Sequence, residues 1–274
     1  MDAGSFDAAA ARLHLTPSAV SQRIKALEQA VGQVVVRRVR PVEVTDGGRV
    51  YLRLAREVTA LIDQASTATG GPDVATVPIA VNADSLDTWV LPALAEVTGV
   101  SFDLRREDQS VTADLLRDGT VMAAITSDAT AVQGCRVSRL GTMRYRPAAA
   151  PEFVDRWFVR GVDAERLERA PVVVFDRRDE LQDDYLRLRG AQGAPRRHHV
   201  PASRSFLDAV LLGMGWGMLP DLQTANHLAS GDLVLLDEQH HVDVDLYWQQ
   251  WSLRTDALDA AAAAIGQAAA SALT

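Results

Sequence analysis

Between Thr16 and Gly32 the apolar residues Val20, Ile24, Leu27 and Val31 recur at helical spacing. Thr16-Pro17 opens that helix, with Thr as N-cap acceptor and Pro at the first helical position, and Gly32 closes it. The opposite side collects Ser18, Gln22, Lys25 and Gln29, with Ser21 on the flank. These are short or amide-bearing groups and one cation, without a carboxylate, a face suited to phosphate oxygens and base edges. Ser5 caps a short Ala-rich helix, Ala8–Leu13, and Leu15 and Thr16 allow only a tight turn before the longer one. Helix, tight turn and second helix with a polar outer face predict a helix-turn-helix. Gln33–Val36 and Val42–Thr45 then read as two short strands around Arg37-Arg38-Val39-Arg40-Pro41, a basic wing. Thr45 caps a helix from about Asp46 to Thr67 whose apolar positions are Val50, Leu54, Val58, Leu61 and Ile62, the pattern of a dimerisation seam.

Thr69-Gly70-Gly71-Pro72-Asp73 reads as a hinge, and beyond it strands and helices alternate. Strands are predicted at Val77–Val81, Val100–Leu104, Val121–Ile125, Val172–Phe175, His198–Val200, Trp216–Leu219 and Val244–Trp251. Helices are predicted at Leu86–Val97, Val111–Arg117, Leu181–Leu188, Ser205–Leu212 and Leu258–Ala272. Such alternation implies parallel sheets covered by helices, in two similar lobes. The expected division is residues 1–45 as the helix-turn-helix module, 46–70 as linker helix and hinge, and 71–274 as a ligand-binding domain. Its first lobe would take about 71–147 with 243–274, its second about 148–242.

Ligands in open α/β folds sit beyond the carboxyl ends of strands, so those ends supply the candidates. They are Asn82, Asp84 and Ser85; Glu107, Asp108 and Gln109; and Thr126, followed by Ser127-Asp128. The second lobe supplies Asp176, within Asp176-Arg177-Arg178-Asp179, and Ser203. Carboxylates converging on a cleft beside helix N-termini suit a ligand with a carboxylate head and a cationic tail. Gly215, with Gly217, fits either a close backbone approach to ligand or tight helix–strand packing.

With 274 residues, 47% of them apolar and 23% charged, the chain has the composition of one large globular domain or two smaller ones. Its net charge of −8 is unevenly spread, at +2 through residue 66 and −10 thereafter, as for a small anion-facing module joined to an acidic one. Lys25 is the only lysine among 28 basic residues and alanine occurs 43 times, so the abundance of arginine reflects compositional bias. No apolar run approaches the roughly 20 residues of a membrane span, no secretory signal is visible, and a soluble cytoplasmic protein is expected. The pairs His198-His199 and His240-His241 point to opposite sides of a strand, so no metal is expected; Cys135 reads as a structural thiol. Neither a Gly-Lys-Ser/Thr phosphate loop nor a Gly-x-Ser-x-Gly elbow occurs, and the reading is non-enzymatic and cofactor-free.

The run Gly4-Ser5-Phe6-Asp7-Ala8-Ala9-Ala10, Leu13 and Leu15-Thr16-Pro17-Ser18-Ala19-Val20-Ser21-Gln22-Arg23-Ile24-Lys25-Ala26-Leu27-Glu28 resembles the winged helix-turn-helix of LysR-type transcriptional regulators. The resemblance implies DNA contact through Thr16, Pro17, Ser18, Ser21, Gln22, Arg23 and Lys25, with Arg38 and Arg40 matching the wing loosely because valines replace the usual aromatic. It also implies an effector-binding domain of the periplasmic-binding-protein type, homodimers or homotetramers, and RNA polymerase as a partner. Family members carry an apolar helix ahead of the Gly-Ser-Phe segment. The head is therefore expected to be N-terminally truncated as written, with the true start upstream.

Val81-Asn82-Ala83-Asp84-Ser85 with Thr88-Trp89, Glu107-Asp108-Gln109, Gly134-Cys135-Arg136-Val137, Gly213-Met214-Gly215-Trp216-Gly217-Met218-Leu219-Pro220 and Leu246-Tyr247-Trp248-Gln249 resemble one subgroup, the lysine-export regulators. That likeness implies a regulator, an activator, that senses lysine or arginine and controls an amino-acid exporter gene. The alternative is a basic-amino-acid-binding module whose DNA-binding head does not function.

Overall fold

The computed structural model describes residues 3–68, 75–107 and 109–274, without the side chains of residues 67, 68, 109 and 110. The predicted hinge at 69–73 and the candidate Asp108 lie outside the described residues, as does the side chain of the candidate Gln109.

Helices α1 (Phe6–Arg12) and α2 (Pro17–Val31) start where their caps predict: Ser5 Oγ accepts from the Ala8 amide at 3.1 Å and Thr16 Oγ1 from that of Ala19 at 3.2 Å. Gly32 ends α2 in the left-handed region, at φ 72°, where a side chain would strain the backbone. The wing strands β1 (Val36–Arg37) and β2 (Glu43–Val44) pair antiparallel, and the Glu28 carboxylate ties them to α2 through the Val35 amide, 3.0 Å away. Thr45 Oγ1 accepts from the Gly48 amide and so caps α3 (Asp46–Ala68).

The larger domain is built on β3 (Ala75–Val81), α4 (residues 83–95, with a π-turn at Leu86–Val90), β4 (Val100–Arg106), α5 (Gln109–Arg117) and β5 (Ala123–Thr126). β3 lies between β4 and β5, parallel to both. Then comes β6 (Cys135–Ala149), a strand of 15 residues absent from the predicted set. The second lobe follows with α6 (Pro151–Trp157), α7 (Ala164–Arg169), β7 (Val172–Val174), α8 (Leu181–Leu188) and β8 (Arg197–His199). It continues through α9 (Ser203–Leu211), β9 (Gly217–Pro220), α10 (Asp221–Ser230) and β10 (Val234–Leu235). The chain closes with β11 (Val242–Trp251) and α11 (Asp256–Ala272).

The sheet is mixed where the alternation predicts parallel pairing throughout. β11 runs antiparallel to β5 and to β6, pairing with β6 from Trp251↔Cys135 to Val242↔Tyr145 across a bulge at Leu246/Tyr247. The far half of β6 pairs antiparallel with β9 and β10. One long strand thus serves both lobes: its first half completes the sheet of the first, and its second half starts the second. The main core packs Ile79, Leu116, Ile125, Trp251, Leu258 and Ile265 between sheet and helices, and a smaller core of Val173, Phe206, Val210, Leu219 and Leu233 lies under α9.

Candidate effector cleft and DNA-binding face

A cavity of about 410 Å³ opens where the end of β3, the middle of β6 and the first turns of α8, α9 and α10 meet. That size is ordinary for a small-molecule site. Asp84, in the first turn of α4, stands half-buried in its wall. Its Oδ2 accepts from the Tyr145 hydroxyl at 2.8 Å and its Oδ1 from the Ser203 hydroxyl at 2.5 Å, while Ser203 Oγ accepts from Gln223 Nε2 at 2.6 Å. Loss of water around Asp84 pushes its pKa up, and the two hydroxyls pull the other way without cancelling that effect. Burial, together with the neighbouring Asp84 charge, likewise holds the Tyr145 phenol well above its ordinary value, so it stays protonated and donates.

Asp179 supplies a second carboxylate from the loop after β7. Its Oδ2 accepts from the Phe175 amide at 2.8 Å and its Oδ1 from the Leu181 amide at 3.1 Å. Burial raises its pKa against those two bonds, and the charge of Asp84 adds to the rise. Asp176, Glu180 and Asp184 also line the cavity, against one basic residue among the described lining residues, Arg178; Phe175, Phe206, Met218, Leu219 and Leu246 form its apolar wall. Two half-buried carboxylates whose ionised forms are disfavoured by desolvation gain most from a cation brought by the ligand.

In the head, Ser18, Gln22, Arg23 and Lys25 are exposed on α2, with Thr16 and Pro17 exposed at its start and Ser21 half-buried. Arg38 and Arg40 are exposed in the wing, where the Arg38 guanidinium stacks 5.2 Å from the centre of the Phe6 ring. The apolar side of α2 faces an open groove of about 310 Å³ that Phe6, Leu13, Val20, Ile24, Leu27 and Tyr51 help to line.

Two family descriptions match the chain. Residues 1–49 fit the bacterial regulatory helix-turn-helix protein, lysR family, and residues 71–270 fit the LysR substrate binding domain. The chain belongs to the LysR family. It is 45% identical to the lysine export transcriptional regulatory protein LysG of Corynebacterium efficiens over 263 residues, 93% of this chain and 89% of that one. Its fold superposes on the crystal structure of ArgP from Mycobacterium tuberculosis with a TM-score of 0.91 at 42% identity, covering 98% and 93% of the two chains. Full-length LysG from Corynebacterium glutamicum with bound effector Arg gives a TM-score of 0.82 at 39% identity, covering 99% and 95%.

Within this LysR-family domain, the cavity gathers Asn82, Asp84, Asp176 and Ser203 from the candidate set. Ser85 is buried and does not line it, and Thr126 is buried with its hydroxyl accepting from the Asp128 amide at 3.1 Å. Glu107 is half-buried and does not line it. Gly215 is a packing position: a Cβ there would lie 2.9 Å from the Pro171 carbonyl and 3.0 Å from the Val173 amide. Sequence reasoning missed Tyr145 and Gln223, and from the run Asp176-Arg177-Arg178-Asp179 it singled out Asp176 rather than Asp179. Asp179 stands three residues beyond the candidate Asp176, so the signal was present; Tyr145 and Gln223 lie on β6 and α10, elements without a clear local pattern.

The linker helix of the LysR head is bonded to the same domain. Arg53 donates to the carbonyls of Gln133 at 2.7 Å and Gly134 at 2.8 Å, pairs with Glu57 at 2.9 Å, and stacks 5.5 Å from the Trp251 ring. Arg56 reaches the Asp118 carbonyl and Thr120 Oγ1, each at 3.1 Å. Gly119 and Gly134, at φ +76° and +74°, leave room for these arginines: a Cβ on Gly134 would meet the Arg53 guanidinium at 2.8 Å.

Proposed function

We propose that the chain is a cytoplasmic transcriptional regulator that binds double-stranded DNA through α2 and the wing and senses a basic amino acid, lysine or arginine, in the cavity. Control of an amino-acid exporter gene, with RNA polymerase as partner, follows from its kinship with LysG. The observation that carries the sensing role is the pair of partly desolvated carboxylates, Asp84 and Asp179, in one cavity of a domain joined to a winged helix-turn-helix. The relatives' names, a lysine-export regulator and a structure with bound arginine, support the same ligand class.

A connected path supports transmission to the DNA-binding head. Ser127 lines the cavity and begins the loop 127–134. The buried Gln249 braces that loop: its Nε2 donates to the Asp128 and Thr130 carbonyls at 2.9 and 3.0 Å, and its Oε1 accepts from the Val132 amide at 3.2 Å. The loop ends at the two carbonyls held by Arg53 on α3. A ligand that draws the lobes together thus acts on a stiff segment whose far end grips the linker helix. Along α3, Val50, Leu54, Val58, Leu61 and Ile62 are all exposed at helical spacing, supporting pairing of two such helices in a homodimer or a homotetramer. Paired heads place their recognition helices in major-groove half-sites about 34–36 Å apart, or a multiple of that.

The test is a titration of the neighbouring intergenic DNA with and without lysine or arginine, using this chain and its Lys25→Ala variant. Sequence-selective binding that responds to the amino acid is expected, with the variant weakening it and reducing the salt slope by about one unit. Amino-acid binding without selective DNA binding would leave a sensor module with a nonfunctional head, and no amino-acid binding would remove the sensing role.

A further inference from the structure

The hydrogen bonds around Asp84 run in one direction. With a ligand cation bound, Asp84 is ionised and only accepts, so Tyr145 and Ser203 both spend their hydroxyl protons on it. Ser203 Oγ then has only lone pairs left and needs a donor, which fixes the Gln223 amide with Nε2 toward the serine. The carbonyl end, Gln223 Oε1, is committed as an acceptor, and it is buried without a hydrogen-bond partner among the described residues. Asn82 Oδ1 is in the same condition, and both residues line the cavity. A buried acceptor without a donor is costly, so each awaits an N–H group.

We infer that Gln223 is a specificity-determining residue of the effector cavity: Oε1 accepts from a guanidinium, so the site prefers arginine to lysine. This rests on the proposed sensing of basic amino acids. An ammonium has three N–H donors, which the oxygens of Asp84 and Asp179 can take up. A guanidinium has five in a planar fork and leaves donors over that only further acceptors satisfy. Gln223 and Asn82 supply these, and Ser203 holds Gln223 in the required orientation.

The test is calorimetric titration of the full chain with L-arginine and L-lysine, for the wild type, Gln223→Met and Ser203→Ala. The wild type is expected to bind arginine more tightly. Gln223→Met should lower arginine affinity about tenfold and lysine affinity less than about threefold, because only the guanidinium loses an acceptor. Ser203→Ala frees the Gln223 amide to turn and should also shrink the arginine-to-lysine ratio, which keeps the question open to measurement if Gln223→Met does not fold. Equal losses for both ligands would place Gln223 against the α-amino group or in a structural role and overturn the inference. So would equal wild-type affinities, or an unchanged ratio in both folded variants. A wild type that binds neither amino acid instead defeats the sensing role itself.

Discussion

Replacing Arg53 with alanine separates sensing from response. Its side chain is 15% exposed and makes two charged hydrogen bonds to the carbonyls of Gln133 and Gly134, beside a stack on Trp251. A hydrogen bond to a charged group contributes about 1.5–3 kcal/mol net, and a cation–π contact at a partly exposed site about 0.5–1 kcal/mol. Both carbonyls sit near solvent and recover water when the arginine leaves, so the low end applies and the loss is about 3 kcal/mol. Coupling between two sites is typically worth about 1–3 kcal/mol, so a contact of this size is enough to carry all of it. Arg53→Ala should therefore bind arginine and lysine within about twofold of the wild type while its operator complex no longer changes with effector. Calorimetry measures the first property; anisotropy titration and DNA-bend measurement by fluorescence transfer, each with and without saturating effector, measure the second. Arg53→Lys, with a compact ammonium in place of a planar fork, should fall between. An effector response in Arg53→Ala equal to that of the wild type would show that the signal does not pass through the 127–134 loop and α3.

Burial raises the pKa of Asp84 and of Asp179 in the free protein, and a bound cation favours their ionised forms. Effector affinity should therefore fall with acidification from a pH above the ordinary aspartate range, with protons released on binding; affinity flat down to that range would exclude these carboxylates from the site. The sign for stability is opposite: the folded chain holds these protons more tightly than the unfolded one, so their contribution falls as pH rises from the ordinary aspartate range through the raised values. Urea titrations of the free protein across that window should show the decline, and Asp84→Asn should reduce its slope. On α3, Leu54→Glu puts a charge into the exposed apolar stripe and should raise the subunit dissociation constant by at least about tenfold, read by sedimentation velocity. An unchanged mass distribution would mean that α3 is not the pairing surface.

The head and the linker helix were legible because their signals are local. Thr16 and Pro17 start α2, Gly32 stops it, and Thr45 caps α3, each acting within a few residues of itself. Strand ends pointed to Asn82, Asp84, Asp176 and Ser203 because polar residues collect where a chain leaves a strand at the open end of an α/β sheet. β6 was hidden because Gly141 and Pro147, ordinarily breakers, sit inside it. Gly141 is tolerated beside the bulge in the β11 pairing, and Pro147 lies where the strand passes between β9 and β10. Its partners come from residues 217–220, 234–235 and 242–251, so nothing in its own stretch announces so long a strand. Only the tertiary fold decided that Asp84 meets Tyr145, 61 residues away, and Ser203, 119 residues away. The sequence by itself determined the kinds of groups available and their local caps. Which of those groups share one buried space, and therefore which carboxylates lose their water and need a cation, depends on pairings between distant strands that no local pattern encodes.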